Sequence, residues 1–179
     1  MALENYFDFA ENDYNYFVNS ANHGLVANMM AAMAQNICEK YMKHLINEFY
    51  EPQTLADEKD LEKILHTHNL NGLIKFLRNN LEVSFSKEAK TQMNVINGFY
   101  YNTRYPGDES FEVDKEDIED CMKAITLCRK EIVEFIKILE QRKQKAIPLE
   151  EQIAHGKEVQ QQNVKNKEQG SKNVEHVRV

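Results

Sequence analysis

The sequence is poor in turn-forming residues and contains no tryptophan. Its 179 residues include only six glycines and three prolines, whereas these two types together average about 12% of globular proteins. β-Sandwiches and barrels need a turn about every 8–12 residues. The shortage therefore excludes a fold built on closely spaced turns and predicts a helical protein.

Cysteine is also scarce and is not arranged in pairs. The three cysteines, Cys38, Cys121 and Cys128, form no CxxC motif and have no histidine at a zinc-finger spacing. This excludes a disulfide framework and argues against a zinc site. Cys121 and Cys128 are seven residues apart, so on a helix they share a face and are expected to be small buried residues. We predict no metal and no cofactor.

Targeting signals and long apolar runs are missing as well. The opening MALENYFDFAENDY has no basic region and carries acidic residues throughout, which argues against a signal peptide. No run of about 18 apolar residues is present, so we expect no membrane span and a cytoplasmic location. The net charge of −7 argues against a protein that coats nucleic acid through a basic face, but it leaves room for a local basic pocket.

What the sequence does contain is helical periodicity. Asn69, Ser86 and Asp114 are candidate N-caps in front of periodic apolar stretches. Residues 51–68 form a charged, weakly helical connection, and nothing alternates as a strand would. We predict an all-α, antiparallel, up-and-down bundle of four to five helices. The predicted helices cover about 1–19, 25–50, 69–81, 87–101 and 115–143.

The last 36 residues differ in composition from the rest. Residues 144–179 contain no aromatic side chain, and residues 160–167 are rich in Gln, Asn and Lys. We therefore predict a helical-bundle domain over 1–143 and a polar tail over 144–179. This composition favours a marginal helix or a disordered tail. The alternative is a docking segment that becomes ordered against a partner chain.

Four segments together resemble one protein family. They are FAENDYNYF around Asp13, NICEKYMKHLI at 36–46, HTHNLNGLIKFL at 66–77 and YYNTRYPGDE at 100–109. In this order they are similar to the HEPN domain superfamily over roughly residues 5–140. The resemblance implies a small all-α domain, usually a homodimer, that is associated with nucleotide or RNA binding.

The family has more than one functional branch. Some members are ribonucleases of defence and toxin–antitoxin systems, and others partner a small nucleotidyltransferase. The ribonucleases carry an arginine followed, four to six residues later, by a histidine. Here Arg104 is followed by Tyr-Pro-Gly-Asp-Glu-Ser-Phe, and no other arginine has a histidine at that spacing. We therefore predict a non-catalytic nucleotide- or RNA-binding module without catalytic residues.

Two other functions stay open. One is a metal-independent ribonuclease in which folding brings His68 or His44 close to Arg104, because RNA cleavage by general acid–base chemistry needs a group that titrates near neutral pH. The other is an interaction scaffold that binds no ligand. A histidine metal pair is not expected, because His66 and His68 are two residues apart and would not share a helix face.

The candidate binding residues centre on Arg104. A guanidinium binds phosphate through two hydrogen bonds, and Tyr105 offers a ring for base stacking. Lys43 and His68 are expected to assist. The alternative for Arg104 is a salt bridge that fixes its loop to the bundle.

Two acidic residues are expected to support this site. Asp13 lies on an aromatic-rich helix, and Glu39 is four residues before Lys43, the favourable order for a helical ion pair. We predict that Asp13 pairs with Lys43 or Arg104, and that Glu39 completes a buried or half-buried ionic cluster.

Overall fold

The computed structural model describes residues 3–146, and every regular element in that range is a helix. This confirms the all-α class and the helical bundle. The described residues hold more helices than predicted, for reasons given below. The elements are α1 (Tyr6–Asn22), α2 (Asn28–Phe49), α3 (Leu55–Leu65), α4 (Leu70–Asn80), α5 (Lys87–Val95), α6 (Phe99–Asn102) and α7 (Lys115–Ala146).

The three predicted N-caps are confirmed. The Asn69 side chain accepts a hydrogen bond of 3.1 Å from the Gly72 backbone N–H. Ser86 and Asp114 each accept the corresponding bond from the residue three positions on, also at 3.1 Å. These bonds satisfy backbone donors that have no partner inside the helix, and they fix where α4, α5 and α7 begin.

Residues 51–68 are more regular than predicted, because they contain the complete helix α3. Its start is a capping box, in which Thr54 and Asp57 each bond the backbone of the other. Leu61 and Ile64 then pack against the main core. The prediction of a weakly helical connection underestimated how strongly a capping box favours the first turn.

The prediction of one helix over 87–101 is wrong. Helix α5 ends at Val95, and the short helix α6 starts only after Gly98. Gly98 has a φ of 114°, in a region of backbone conformation that only glycine adopts readily. Its N–H does not continue the helix but donates to the side chain of Gln35 on α2 at 2.9 Å. A tertiary contact therefore accompanies the break.

Helices α1 and α2 form an antiparallel pair. The early residue Phe7 packs against His44, with ring centroids 5.4 Å apart, and the later residue Asp13 pairs with Lys40. The later of these two α1 residues thus contacts the earlier of the two α2 residues, which is the order expected of an antiparallel pair. The turn between the helices contains Gly24 with a φ of 77°, at the break predicted there.

Helices α5 and α7 are also antiparallel. Ser86 at the start of α5 bonds Glu131 on α7 through both its backbone N–H and its hydroxyl, at 2.8 and 2.6 Å. Gln92, further along α5, donates to the carbonyl of Asp120 at 3.4 Å. The predicted up-and-down arrangement is therefore present in both pairs.

The core lies where α1, α2, α4 and α7 meet. All three cysteines are fully buried as free thiols, as the spacing of Cys121 and Cys128 predicted. Burial and contact with Cys128 hold the pKa of the Cys38 thiol well above its ordinary range. The largest fully buried apolar side chains are Phe17, Ile37, Tyr41, Met42, Leu45, Ile46, Leu70, Leu73, Leu77, Met93, Ile96 and Ile125.

The chain divides after Leu139 into two units, Met1–Leu139 and Glu140–Val179. Residues 140–146 of the second unit are the last turns of α7. Most of the predicted tail, from residue 147 on, lies outside the described residues, so its structure and the division at residue 143 stay predictions. Among the described helices, none combines the length and the apolar character needed to cross a membrane.

Candidate functional site

The loop that carries Arg104 is tied to the first residue of α2. The Asn28 amide donates to the carbonyls of Thr103 and Phe111, at 3.2 and 3.1 Å, and its oxygen accepts from the Val113 N–H at 2.9 Å. One side chain therefore holds both ends of the loop. This fixes the position of Arg104, although the loop itself is exposed.

Arg104 lies on tyrosine rings at the surface. Its guanidinium carbon is 4.6 Å from the ring centroid of Tyr100 and 5.6 Å from that of Tyr105. Tyr101 and Tyr105 are exposed to 52% and 53%, and their rings are 6.2 Å apart. We call Tyr100, Tyr101, Arg104 and Tyr105 the Arg104 shelf.

The Arg104 shelf presents a cation without a carboxylate partner. Within residues 3–146, Arg104 makes no ion pair, so the salt bridge considered for it is not found. Its contacts with tyrosine rings leave the outward guanidinium N–H donors available. Such a group is suited to an anion that arrives from solvent.

His68 lies directly against this shelf. Its ring stacks on Tyr100 with centroids 3.9 Å apart and planes 9° from parallel, and it meets Tyr101 edge-on at 5.7 Å. Its Nδ1 atom is 2.9 Å from Oε2 of Glu39. The carboxylate thereby orients the imidazole, while the stacked ring extends the shelf toward the start of α4.

Behind the shelf is a polar network inside the bundle, formed by Gln35, Glu39, Lys43 and His68. Gln35 is fully buried and Glu39 is 1% exposed. Glu39 accepts from Gln35 at 3.0 Å and lies 3.5 Å from the Lys43 ammonium. A buried carboxylate is costly unless it is paired and hydrogen-bonded, and both conditions are met here.

Gln35 connects this polar network to the shelf. Its oxygen accepts from the backbone N–H groups of Gly98 and Tyr100, at 2.9 and 2.8 Å. Its amide nitrogen donates to Glu39 and to the carbonyl of His68. The Gln35 amide therefore makes four hydrogen bonds, and the Tyr100 backbone is held against α2.

The structure brings the predicted binding residues into one neighbourhood but gives them different roles. Arg104 and Tyr105 are on the exposed shelf, and His68 lines its inner side. Lys43 is only 7% exposed and faces Glu39, so it belongs to the interior network. Glu39 is its partner, as the spacing predicted.

The predicted pairing of Asp13 is wrong. Its Oδ2 atom is 2.5 Å from the ammonium of Lys40, not from Lys43 or Arg104, because the antiparallel register of α1 and α2 places Asp13 opposite Lys40. The four-residue ionic cluster therefore does not form as one unit. Asp13 and Arg104 are nevertheless neighbours, because both line one pocket.

Two pockets adjoin Arg104. The first, which we call the Asp13 pocket, has a volume of about 240 Å³ and is lined by Asp13, Met29, Ala32, Met33, Asn36, Tyr100 and Arg104. The second has a volume of about 380 Å³ and lies on the loop side, beside Tyr105 and Ser110. Arg104 stands between them and can reach a ligand in either.

A further pocket of about 410 Å³ lies between the α1–α2 turn and the start of α7. It is mostly apolar, and its two lysines already have acidic partners: Lys115 is 3.6 Å from Glu119, and Lys123 is 3.0 Å from Asp120. This pocket is larger, but its paired lysines make it a poorer anion site than the surroundings of Arg104.

Within residues 3–146, neither His44 nor His66 makes a hydrogen bond or a ring contact with the shelf residues. His44 packs against Phe7, and its Nδ1 atom is buried without a hydrogen-bond partner in the described part of the chain. Burial lowers the pKa of His44 below its ordinary value. His44 is eight residues beyond Asn36 of the Asp13 pocket, about 12 Å along the helix. His66 bonds the carbonyl of Glu62 at the end of α3.

Three residues of this site were not predicted. Gln35, Tyr100 and Asn28 organise the shelf, but only Gln35 left a signal in the sequence, as a polar residue within the apolar start of α2. Tyr100 and Asn28 act through contacts with distant parts of the chain. No group of three His, Cys, Asp or Glu side chains within residues 3–146 is placed to hold a metal ion.

Comparison with known proteins identifies the family. Neither the curated proteins nor the solved structures give a significant match. A family model described as the HEPN domain matches residues 3–139. That range contains α1 to α6 and most of α7, and with them the Arg104 shelf and the whole polar network. The chain therefore belongs to the HEPN domain family.

Proposed function

We propose that this protein binds a nucleotide or RNA through the Arg104 shelf and does not cleave it. The HEPN family as a whole points to a function related to nucleotides or RNA. The proposal adds a location for that function in this chain, with Arg104 as the phosphate-binding cation and Tyr105 as the stacking surface. His68 borders the bound ligand, and Lys43 acts indirectly by stabilising Glu39.

The observation that carries the proposal is the state of Arg104. It is exposed, lies on tyrosine rings and has no acidic partner in the described structure. Proteins that bind single-stranded nucleic acids combine a cation for the phosphate with an aromatic ring for base stacking. The Arg104 guanidinium and the exposed tyrosines beside it supply these two elements.

The absence of the Arg-x4-6-His motif supports a binding role without cleavage. The residues after Arg104 include no histidine up to the start of α7. A general acid–base step in RNA cleavage requires a titratable group within reach of the 2′-hydroxyl or the leaving oxygen. We therefore expect bound RNA to be released without being cleaved.

A binding assay tests the role of Arg104. The full chain is titrated into a short fluorescein-labelled single-stranded RNA while anisotropy is measured. We expect Arg104→Ala to weaken binding at least about tenfold, because a charge-assisted hydrogen bond contributes about 1.5–3 kcal/mol. The matched control is Arg78→Ala, which removes another exposed arginine, on α4. Equal losses of affinity in the two variants would show that binding depends on net charge and not on a specific contact of Arg104.

The salt dependence and the stacking surface give two independent readouts. Removing one phosphate contact should reduce the slope of log K against log salt by about 0.7–0.9. Tyr105→Ala should also weaken binding, since a stacked base contributes about 1–3 kcal/mol, whereas Tyr105→Phe should bind like the wild type. Affinity unchanged in Arg104→Ala, with unchanged helical content, would remove Arg104 from the site.

A ribonuclease is the second candidate, because one contact favours it. His68 and Arg104 both lie against the Tyr100 ring, and Glu39 orients the imidazole as the third member of a catalytic triad would. Incubation with total RNA and tRNA distinguishes the two functions. Cleavage that disappears in both His68→Ala and Arg104→Ala would establish the nuclease. Neither binding nor cleavage would favour an interaction scaffold.

We further propose a homodimer, and a role in a defence or toxin–antitoxin system or as the partner of a nucleotidyltransferase. HEPN domains often act as dimers, and several large apolar side chains of α1 are exposed, including Phe9 at 45% and Tyr16 at 57%. Sedimentation at tens of micromolar should show a species of twice the chain mass. A strict monomer would contradict the dimer.

A further inference from the structure

We propose that the Asp13 pocket receives a guanine base, and that Asp13 and Asn36 recognise its Watson–Crick edge. The inference rests on the proposed function, because the phosphate of the same ligand is assigned to Arg104. It adds a preference for one base, which lies in the pocket on one side of Arg104. The Tyr105 ring, which lines the other pocket beside Arg104, is left for the neighbouring base of an RNA.

The size of the pocket suits a single ring system. Its volume of about 240 Å³ is below the about 300–1,000 Å³ typical of sites that enclose a drug-sized molecule. This open pocket is too small for a whole nucleotide but can seat a base, with the sugar and phosphate outside. Arg104 stands at the border of the pocket, where that phosphate would emerge.

The walls of the pocket suit a flat aromatic ligand. Met29 and Met33 come from the same face of α2 and provide polarisable thioethers, which pack well against aromatic rings. Tyr100 contributes aromatic surface from α6. Met29 is 59% exposed, so much of a large apolar side chain that lines the pocket faces solvent. A bound base would cover it.

The polar groups of the pocket have unused hydrogen-bonding capacity. Asp13 accepts from Lys40 through Oδ2, while Oδ1 accepts no hydrogen bond within residues 3–146. A carboxylate has about four acceptor positions, so it can take two further donors. The side-chain amide of Asn36 likewise has no hydrogen-bond partner in the described part of the chain, although it lines the pocket. It offers both donors and an acceptor.

These groups match guanine better than the other bases. Guanine presents two neighbouring donors, N1–H and the 2-amino group, which one carboxylate can accept together, and its O6 can accept from the Asn36 amide. Adenine presents the lone pair of ring N1 where a carboxylate would need a donor. Cytosine and uracil each present a single donor beside an acceptor. Asp13 therefore attracts guanine and repels adenine at the same position.

Nucleotide competition tests the preference. GMP, IMP and AMP are titrated against the full chain by calorimetry under identical conditions. We expect GMP to bind at least about tenfold more tightly than AMP, because AMP leaves the Asp13 carboxylate facing a lone pair in place of a donor. IMP keeps N1–H but lacks the 2-amino group, so its affinity should lie between those of GMP and AMP.

Two variants separate base recognition from the ion pair. Asp13→Asn should reduce the GMP preference to within about threefold, since the amide presents one donor in place of an acceptor. Lys40→Met removes the same Asp13–Lys40 ion pair but leaves the carboxylate, so it should keep the preference. Glu51→Gln, at an exposed acid between α2 and α3, controls for net charge.

The outcomes distinguish this inference from the proposed function. Equal affinities for GMP and AMP, both lost in Arg104→Ala, would overturn the guanine site and leave the phosphate site standing. A GMP preference that survives in Asp13→Asn would overturn the role of Asp13. Failure to bind any nucleotide or RNA would overturn both proposals. Loss of preference in Asp13→Asn, with retention in Lys40→Met, supports the site as described.

Discussion

Replacing Gln35 with methionine removes a buried amide while keeping the length and shape of the side chain. In the wild type this amide bonds two backbone N–H groups, one backbone carbonyl and the Glu39 carboxylate. In Gln35→Met all four lose that partner. Glu39 retains its contacts with Lys43 and His68, so the main loss falls on the backbone N–H groups of Gly98 and Tyr100.

The expected loss of stability follows from these two donors. A buried donor left without a partner costs about 1–3 kcal/mol, so we expect the free energy of unfolding to fall by about 4 kcal/mol. Domains of this kind have about 5–15 kcal/mol in total. The loss would lower the melting temperature by about 8–16 °C for a chain of this size.

Urea denaturation followed by circular dichroism measures this effect. The midpoint should move to lower urea while the slope m stays unchanged, which marks a change in stability and not in the compactness of either state. Gln92→Met is the matched control. Gln92 is half-buried and makes a single bond of 3.4 Å to a backbone carbonyl, so its loss should cost below about 1 kcal/mol. Equal midpoints for Gln35→Met and Gln92→Met would refute the reasoning.

Two further predictions concern titratable groups elsewhere in the bundle. Burial raises the pKa of Glu11, but hydrogen bonds from Arg129 and Tyr41 outweigh it and bring the pKa below its ordinary value. The resulting stabilisation is present above the pKa of Glu11 in the unfolded chain and is lost as the pH falls through its pKa in the folded protein. The wild type should therefore lose more stability between neutral pH and about pH 3 than Glu11→Gln. Equal losses of stability, measured by urea denaturation at the two pH values, would contradict this. All three cysteines are fully buried, and burial raises the pKa values of Cys38 and Cys121. We therefore expect no thiol to react with a disulfide reagent in the native protein at about pH 8, and all three to react in urea. Fast labelling of the native protein would contradict this.

The helices with local signals could be predicted from the sequence. Asn69, Ser86 and Asp114 each stand three residues before the N–H group that they accept from. Such caps depend only on neighbouring residues, so a sequence pattern contains all the information. The missed helix α3 also has a local signal, the pair Thr54 and Asp57. Apolar periodicity alone does not use that signal, so it predicts only a weakly helical segment.

The break in the helix predicted over 87–101 has a different origin. Gly98 is visible in the sequence, but an isolated glycine is tolerated in many helices. What accompanies the break is the bond from its N–H to Gln35, 63 positions earlier in the chain. Local propensity does not contain that contact, and the same contact sets the position of Tyr100.

The site was predictable to the extent that its residues share short motifs. Arg104 and Tyr105 follow from the Arg-Tyr-Pro turn, and Glu39 and Lys43 follow from helical spacing. The partner of Asp13 does not follow in this way. Periodicity assigns residues to a face of α2, but it does not fix the register of α1 against α2. Lys43, the partner predicted for Asp13, is only three residues from Lys40, or about 4.5 Å along the helix.

The polar network behind the shelf is not explained by stability alone. Buried ion pairs can often be replaced by apolar residues of similar volume without loss, whereas removing only one partner is costly. Glu39 and Lys43 therefore offer little that leucine and methionine could not supply to the core. What apolar residues could not supply is the orientation of His68 by Glu39 and the fixed Tyr100 backbone on Gln35. We infer that the role of the network is to position the shelf residues. It fixes Tyr100, and the Arg104 guanidinium packs on the Tyr100 ring, so the geometry of the exposed shelf is determined by contacts inside the bundle.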